Sequence, residues 1–432
     1  MFFKRYIILL TACTFFFCGI NAQKNGVPSV QKLQKDSIDD EEDKPDSETV
    51  IPGDFDSSLD YMLYSWAIDK KTPSNCVEKS NPDVTEAQYR TRLKKLPHEI
   101  EMPYNTVVQS FIDIYTNKRR REIEYMLGLS KYYFPIFEEA LNAAKLPLEL
   151  KYLPIIESAL IPTSISRAGA AGLWQFMVAT GRIYDLEINS LVDERFDPIK
   201  STKVAVRYLK ELYAIYGDWN LVLAAYNCGP GGVNKAIRRA GGKRDFWEIY
   251  PYLPRQTRGY VPIFIAASYT MNYYNEHFLC PRKTMLPAMT DTIMIQQRVH
   301  FEQIASVLNI PIEELRILNP QYKRDIVPGD IKPYSLCLPM NFANQFIEKV
   351  AEILAYKPEV FNARRDEIFI QQPVEEKSYS SDRKSTTHTV RRGQTLGVIA
   401  KKYGVTVAQI KRWNDLGKKS KIQAGQKLKI RR

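Results

Sequence analysis

The sequence predicts a mainly α-helical domain followed by two small α+β modules of β-α-α-β order. Two observations carry this prediction. Between residues 61 and 275, apolar residues recur at helical spacing, as in residues 110–127, and proline and glycine turns interrupt the pattern. After residue 287, short strand patterns flank pairs of helical patterns, once in residues 288–345 and again in residues 387–432.

Residues 1–22 have the composition of an export signal. A short basic start precedes the apolar residues 6–20, a run below the roughly 20 residues that a membrane-spanning helix needs. Ala22 offers a cleavage site. An alternative is that the residues ending at Cys13 form a lipoprotein box, but the apolar residues 14–20 would then stand where a polar tether is usual. Cleavage after Ala22 is favoured, and the sequence predicts a periplasmic protein that is anchored to the outer membrane only if Cys13 is lipidated.

Two polar segments divide the rest of the chain. The predicted divisions are an acidic, disordered tether at 23–56, a helical domain at 57–280, a first module at 288–345, a polar linker at 363–386 and a second module at 387–432. The tether holds almost no aromatic residues, so it cannot bury enough apolar surface to offset the entropy lost on ordering. The two modules share the spacing of their apolar and asparagine positions, and the first is interpreted as a degraded copy of the second.

The net charge of +12 belongs to the second module. Residues 387–432 hold thirteen Lys and Arg against the single acid Asp415, and the rest of the chain is neutral on balance. Such a cluster would suit nucleic acid or another polyanion, but only Tyr403 and Trp413 are interleaved with it, and an export signal argues against nucleic acid. The cysteines and histidines show no metal-site spacing, and no metal or other cofactor is predicted.

Glu157 is the candidate acid–base residue. It is the one acid in the apolar residues 152–160. Burial in such surroundings disfavours the charged carboxylate and raises its pKa, which keeps a proton ready for donation. A solvated or salt-bridged glutamate is the alternative interpretation of this stretch.

Three further motifs follow Glu157. GLWQFM, at 172–177, comes after small residues that allow close backbone approach, and it pairs a flat with a polar side chain as sugar sites do. AAYNCGPG, at 224–231, ends a predicted helix in a tight turn, for which a plain helix C-cap is the alternative. RGYVP lies at 258–262.

Together with Glu157-Ser158, these motifs resemble the lytic transglycosylase domain of the goose-type lysozyme superfamily over residues 146–275. Cys228 departs from the family, which usually has alanine there. The resemblance implies a lysozyme-like, mainly α fold and Glu157 as the catalytic residue. It also implies a set of substrate-binding residues: Ser158, Ser166, Gln175, Met177, Tyr226, Asn227 and Tyr260.

The missing second acid indicates a mechanism. Glycosidases normally use two carboxylates, yet residues 158–184 contain no acid, and Glu149 lies about 12 Å away along a helix. Three acids further along the chain, Asp193, Glu194 and Asp197, are interpreted as capping or structural. The resemblance implies that Glu157 first donates and then accepts a proton, and that the substrate supplies the nucleophile. The implied product is a 1,6-anhydromuramyl end.

Residues 387–432 also resemble a family, the LysM modules. The resemblance rests on a set of shared positions: Thr389-Val390, Gly393, Leu396, Ile399-Ala400, Tyr403-Gly404, Ile410, Trp413-Asn414, Leu416, Ile422 and Gly425-Gln426. It implies peptidoglycan glycan strands, which carry N-acetyl sugars and peptide carboxylates, as the partner. Two alternatives to a lyase stay open: a hydrolase that uses the same glutamate, and a non-catalytic wall-binding scaffold.

Overall fold

The computed structural model describes residues 79–361 and 385–431, the second range with gaps at 392, 404, 406, 415 and 417–421. The chain divides into two compact units, Met1–Phe369 and Ile370–Arg432. The predicted export signal with Cys13, the acidic tether and most of the polar linker lie outside the described residues. No helix in the described part of the chain is both long and apolar enough to cross a membrane.

The first unit begins with a helical domain, as predicted. Its α-helices are α1 (Glu86–Lys95), α2 (Thr106–Asp113), α3 (Arg120–Ala143), α4 (Leu153–Ser158), α5 (Val178–Ile183), α6 (Pro198–Tyr216), α7 (Trp219–Arg239), α8 (Phe246–Ile249) and α9 (Arg255–Asn272). The amphipathic pattern at 110–127 forms the end of α2, a π-helical turn at Ile114–Lys118 and the start of α3. Short 3-10 turns lie at Leu148–Tyr152, Tyr250–Tyr252 and Asn275–His277.

Helix α9 forms the centre of this domain. Its residues from Thr257 to Met271 are buried, and it packs against α2, α4 and α7. A helix that is buried on all sides belongs inside a core, and the surrounding elements cover this one from Thr257 to Met271. This central helix passes directly behind the residues that form the candidate site.

Sequence signals fix where α6 and α7 begin and end. The Asp197 side chain accepts hydrogen bonds from the backbone N–H groups of Ile199 and Lys200, and Pro198 occupies the first turn of α6. Gly217, with φ 65°, ends α6 in the left-handed conformation that glycine adopts without strain. The prediction that Asp197 is a capping acid is therefore confirmed.

The first module confirms the predicted β-α-α-β order and adds to it. Its elements are β1 (Thr290–Ile295), β2 (Arg298–His300), α10 (Phe301–Leu308), α11 (Ile312–Leu318), β3 (Ile326–Pro328), β4 (Tyr334–Pro339), α12 (Met340–Ala355) and α13 (Pro358–Phe361). Strands β1 and β4 pair antiparallel, as do β2 and β3. Leu191 and Val192, which belong to the helical domain, lie fully buried in the core of this module. The two parts of the first unit therefore share apolar packing.

The second unit has the β-α-α-β order that the sequence predicts. Strand β5 (Ser385–Thr389) pairs antiparallel with β6 (Lys427–Arg431), and α14 (Leu396–Tyr403) and α15 (Val407–Trp413) lie between them in the sequence. Its small core includes Val390, Ile399 and Ile410.

Candidate active site

Glu157 lies in the last turn of α4, where the chain changes direction sharply. Ala159 and Leu160 both have a positive φ, 53° and 59°, which is uncommon for residues other than glycine and asparagine. Their backbone N–H groups donate to the carbonyls of Ile155 and Pro154 and close the end of the helix. Two strained residues in succession must be held by their surroundings, and here they fix the direction of the Glu157 side chain.

Glu157 is partly exposed, its neighbours in α4 are buried, and its carboxyl contacts the Tyr260 hydroxyl. Burial raises the pKa of Glu157 to about 7, and the hydrogen bond that the Tyr260 hydroxyl donates to its Oε1 acts in the lowering direction. Tyr260 is itself buried in α9, and burial, followed by the charge of Glu157, raises its own pKa well above the ordinary range. The partner of the carboxyl is thus a neutral donor, and near neutral pH much of Glu157 still carries its proton.

The loop from Ser164 to Met177 forms one side of the site. Its backbone is closed by hydrogen bonds from Gly172 N–H to the Ser164 carbonyl, 2.9 Å, and between Ala171 and Phe176. The Gln175 amide nitrogen donates to the carbonyls of Ser164 and Gly172, at 3.2 and 2.8 Å. These contacts hold Gln175 at a φ of 49°.

Two other predicted residues lie on the same loop. The Ser166 hydroxyl accepts a hydrogen bond from the Ala170 backbone N–H at 3.0 Å, and Ser166 remains partly exposed. Met177 is 44% exposed. Both are therefore accessible to a ligand.

Arg195, which the sequence analysis did not single out, fastens this loop. Its guanidinium pairs with both carboxylate oxygens of Asp193, at 3.0 and 2.8 Å, and donates to the carbonyls of Gly169 and Phe176 at 2.9 and 3.0 Å. A Cβ at Gly172 would come within 1.9 Å of the Arg195 carbonyl oxygen, so only glycine fits there. Asp193 is thus a structural acid, as predicted, and its partner is the arginine two residues later in the chain.

The AAYNCGPG segment is a kink within α7 rather than the end of a helix. Gly229, at φ 76° and ψ 158°, interrupts the helical conformation, and the helix continues from Pro230. The Tyr226 hydroxyl donates to the Trp174 carbonyl at 2.7 Å, which joins the kink to the GLWQFM loop. Asn227 is exposed, and its Oδ1 accepts a hydrogen bond from the Thr257 hydroxyl at 2.9 Å.

The structure links Tyr260 and Tyr226 directly to Glu157. Tyr260 contacts Glu157, and the charge of Glu157 is among the causes, after burial, that raise the pKa of Tyr226. Ser158 requires a correction. It is fully buried, and its hydroxyl lies 2.9 Å from the Pro154 carbonyl and 3.0 Å from the Leu173 carbonyl. Its side chain therefore joins α4 to the GLWQFM loop and does not face a substrate.

Comparison with known protein families assigns three segments of the chain. Residues 134–249 match the transglycosylase SLT domain, residues 289–355 match the LysM-like domain of the lytic transglycosylase MltD, and residues 388–431 match the LysM domain. The segment that holds Glu157 and the two loops around it therefore belongs to the transglycosylase SLT domain family, and two LysM-type domains follow it.

Individual proteins are similar to this chain over part of their length. The chain is 32% identical over 289 residues to membrane-bound lytic murein transglycosylase D of Escherichia coli K12, which covers 66% of this chain and 60% of that protein. It is 36% identical over 101 residues to a putative tributyltin chloride resistance protein of an Alteromonas species, 23% of this chain and 49% of the relative. The 70 kDa soluble lytic transglycosylase of E. coli aligns at 25% identity and a TM-score of 0.30, over 35% of this chain and 27% of that structure. The chain thus spans between about half and two thirds of the length of these two sequence relatives.

Proposed function

Because an SLT domain is followed here by two LysM-type domains, we propose that this chain is a lytic transglycosylase of peptidoglycan. It cleaves the β-1,4 bond between N-acetylmuramic acid and N-acetylglucosamine and leaves 1,6-anhydromuramyl ends. The observation that carries the proposal is the pairing of one acid with a raised pKa, Glu157, with a neutral hydroxyl donor, Tyr260.

Four acids on either side of Glu157 in the sequence are committed to other contacts. The Glu149 carboxylate accepts the backbone N–H of Glu99 at 2.8 Å. Asp193 pairs with Arg195, Glu194 pairs with Lys200, and Asp197 caps α6. This arrangement favours a one-acid mechanism over the two-carboxylate scheme of most glycosidases.

In the proposed reaction, Glu157 acts twice. Protonated Glu157 gives its proton to the glycosidic oxygen, the bond from C1 to that oxygen breaks, and the N-acetylglucosamine leaves with a free 4-hydroxyl. The oxygen of the muramyl acetamido group bonds to C1 and forms an oxazolinium ion. The Glu157 carboxylate then takes the proton of the C6 hydroxyl, O6 bonds to C1, and the acetamido oxygen is released. No water is consumed, and Glu157 ends the cycle protonated.

The pKa of Glu157 suits both steps. A group whose pKa lies near the working pH can donate and accept a proton with comparable ease. With a pKa of about 7, Glu157 is mostly protonated below neutral pH, and its reactivity as an acid falls as the pH rises through that value. Tyr260 lowers this pKa and stabilises the carboxylate formed after the first step.

Substrate contacts are proposed for the accessible residues of the two loops. Ser166, Gln175 and Met177 lie on the GLWQFM side, and Tyr226 and Asn227 lie at the α7 kink, which Tyr226 joins to that side. Buried Ser158 has no such role. The LysM domain at 388–431, with its excess of basic residues, is proposed to bind glycan strands and their peptide carboxylates.

Export to the periplasm is proposed from the first 22 residues, with outer-membrane anchoring only if Cys13 is lipidated. The name of the E. coli relative, a membrane-bound enzyme, is consistent with a location in the cell envelope.

Product mass tests the function. Purified protein incubated with sacculi is expected to release muropeptides with anhydro ends, which are lighter by one water than reducing ends. If only reducing muramic acid ends appear, the protein is a hydrolase and the proposed chemistry is wrong.

A further inference from the structure

The neighbour of Asn227 in space is Thr257, which lies in the first turn of α9 and is almost completely buried. Its hydroxyl donates to Asn227 Oδ1 at 2.9 Å. We propose that Thr257 is a positioning residue, which orients the Asn227 amide so that its Nδ2 group faces the glycan as a donor. This inference rests on the proposed function and names a residue for substrate recognition at the same site.

The two ends of an asparagine amide are alike in shape and opposite in hydrogen-bonding character, so its neighbours decide which end meets a ligand. The Thr257 hydroxyl occupies Oδ1, the acceptor end. The donor end remains available on an exposed side chain. The acetamido and carboxyl groups of a muramyl sugar present acceptor oxygens, which an Nδ2 donor complements and an Oδ1 acceptor would repel.

The same face of α9 also contacts the catalytic acid, because Tyr260 donates a hydrogen bond to Glu157. Tyr260 follows Thr257 by three residues, so both side chains project from one side of the helix. Thr257 fixes Asn227, and Tyr260 contacts Glu157. Because α9 is buried along most of its length, its face sets the spacing between the acid and the amide donor. Thr257 contacts Asn227 and the neighbouring Cys228 side chain, and neither contact involves Glu157.

Substitution at Thr257 tests whether this residue acts on Asn227 without affecting Glu157. Thr257→Val keeps the branched shape and removes the donor, and kcat/KM on soluble glycan should fall about tenfold, the effect of one misplaced hydrogen bond. The pH at which activity is half-lost should not move, because Glu157 keeps its surroundings. Thr257→Ser restores the hydroxyl and should restore the rate. Thr270→Val is the matched control and should leave the rate unchanged, because Thr270 lies fully buried on the same helix and its hydroxyl has no hydrogen-bond partner in the described part of the chain.

A double-mutant cycle decides between positioning and a general structural role. In an Asn227→Ala background, Thr257→Val should cause no further loss of rate. An equal loss in both backgrounds, a shift of the pH profile or a failure of the serine variant to rescue would overturn the proposal. The cycle can be read from the cleavage rate whichever ends are formed, so reducing ends would overturn only the lyase chemistry.

Binding extends the test to a protein that does not cleave. The same cycle is then read from the affinity of each variant for a soluble N-acetylglucosamine oligomer. Weaker binding by Thr257→Val that disappears in the Asn227→Ala background supports the positioning role, and equal weakening in both backgrounds contradicts it.

Discussion

The two LysM-type modules of this chain share a framework and differ in what surrounds it. Asn319 in the first module donates to the Leu315 carbonyl and the Cys337 carbonyl and accepts from the Cys337 N–H, at 3.0, 2.8 and 2.7 Å. In the second module Asn414 makes the same three contacts, with Ile410 and Lys429, at 2.8, 2.9 and 2.6 Å. This match supports the prediction that one module is a diverged copy of the other.

The segment after the asparagine differs between the two. Asn319 and its strand partner are 18 residues apart, against 15 in the second module. In the first module, the Asp193 N–H donates to the Gln321 carbonyl at 2.9 Å, and the Lys323 N–H donates to the Leu191 carbonyl at 2.7 Å. Backbone hydrogen bonds thus join the first module to residues 191–193. This segment lies just before Arg195, whose guanidinium donates to the Phe176 carbonyl of the GLWQFM loop. The second module forms a unit of its own.

We propose that divergence has separated two roles. A module that binds a wall polymer needs an accessible surface, whereas a module that supports an active site must be packed against it. The Lys323 Nζ donates to the Asn189 carbonyl at 2.8 Å, and the Tyr334 hydroxyl donates to Glu187 at 2.7 Å, so side chains as well as backbone join the first module to the helical domain. We expect substitutions that destabilise the first module to lower the activity of the active site, and substitutions that destabilise the second module to leave it unchanged.

The largest effect is expected from equivalent core substitutions. Leu315 and Ile410 occupy matching, fully buried positions. Replacing either with alanine should cost about 2–5 kcal/mol of the stability of its own module. Leu315→Ala should also reduce turnover of soluble glycan, whereas Ile410→Ala should not. Equal activity of both variants, measured beside thermal unfolding, would show that the first module does not support the site.

A smaller effect is expected when the second module is removed. A protein that lacks residues 387–432 should bind insoluble sacculi less well and turn over short soluble fragments at nearly the full rate, because a tethered module raises local concentration without changing the chemistry. Binding by the full chain should weaken with salt, since the excess positive charge lies in these residues. Undiminished pull-down of the shortened protein would refute anchoring, and loss of soluble-fragment activity would place the module in the active site.

The smallest expected effect is a shift in the pH dependence of activity, caused by a substitution within the helical domain. The Tyr260 hydroxyl lowers the pKa of Glu157, so Tyr260→Phe should raise it further. The general acid then stays protonated to higher pH, and the basic side of the pH–rate profile should move upward. A profile that moves downward, or does not move, would show that Tyr260 does not control the proton on Glu157.

The sequence predicted the secondary structure of both modules, because it depends on local patterns, and the β-α-α-β order at 288–345 and 387–432 is confirmed. The substrate-binding roles stay predictions. Ser158 was misjudged because burial depends on which chain segment covers a residue, and Leu173 covers it only in the folded protein. Thr257 and Arg195 act through contacts that span 30 and 26 residues of sequence, which no local pattern records.

The central claim is that one residue, Glu157, supplies both proton transfers. Glu157→Gln keeps the shape of the side chain and removes its proton, and general acid–base catalysis contributes about 100- to 10,000-fold. The direct measurement is the rate at which purified Glu157→Gln protein releases muropeptides from sacculi. We expect a loss in that range with binding to sacculi retained, and release at a rate near that of the wild-type protein would contradict the mechanism.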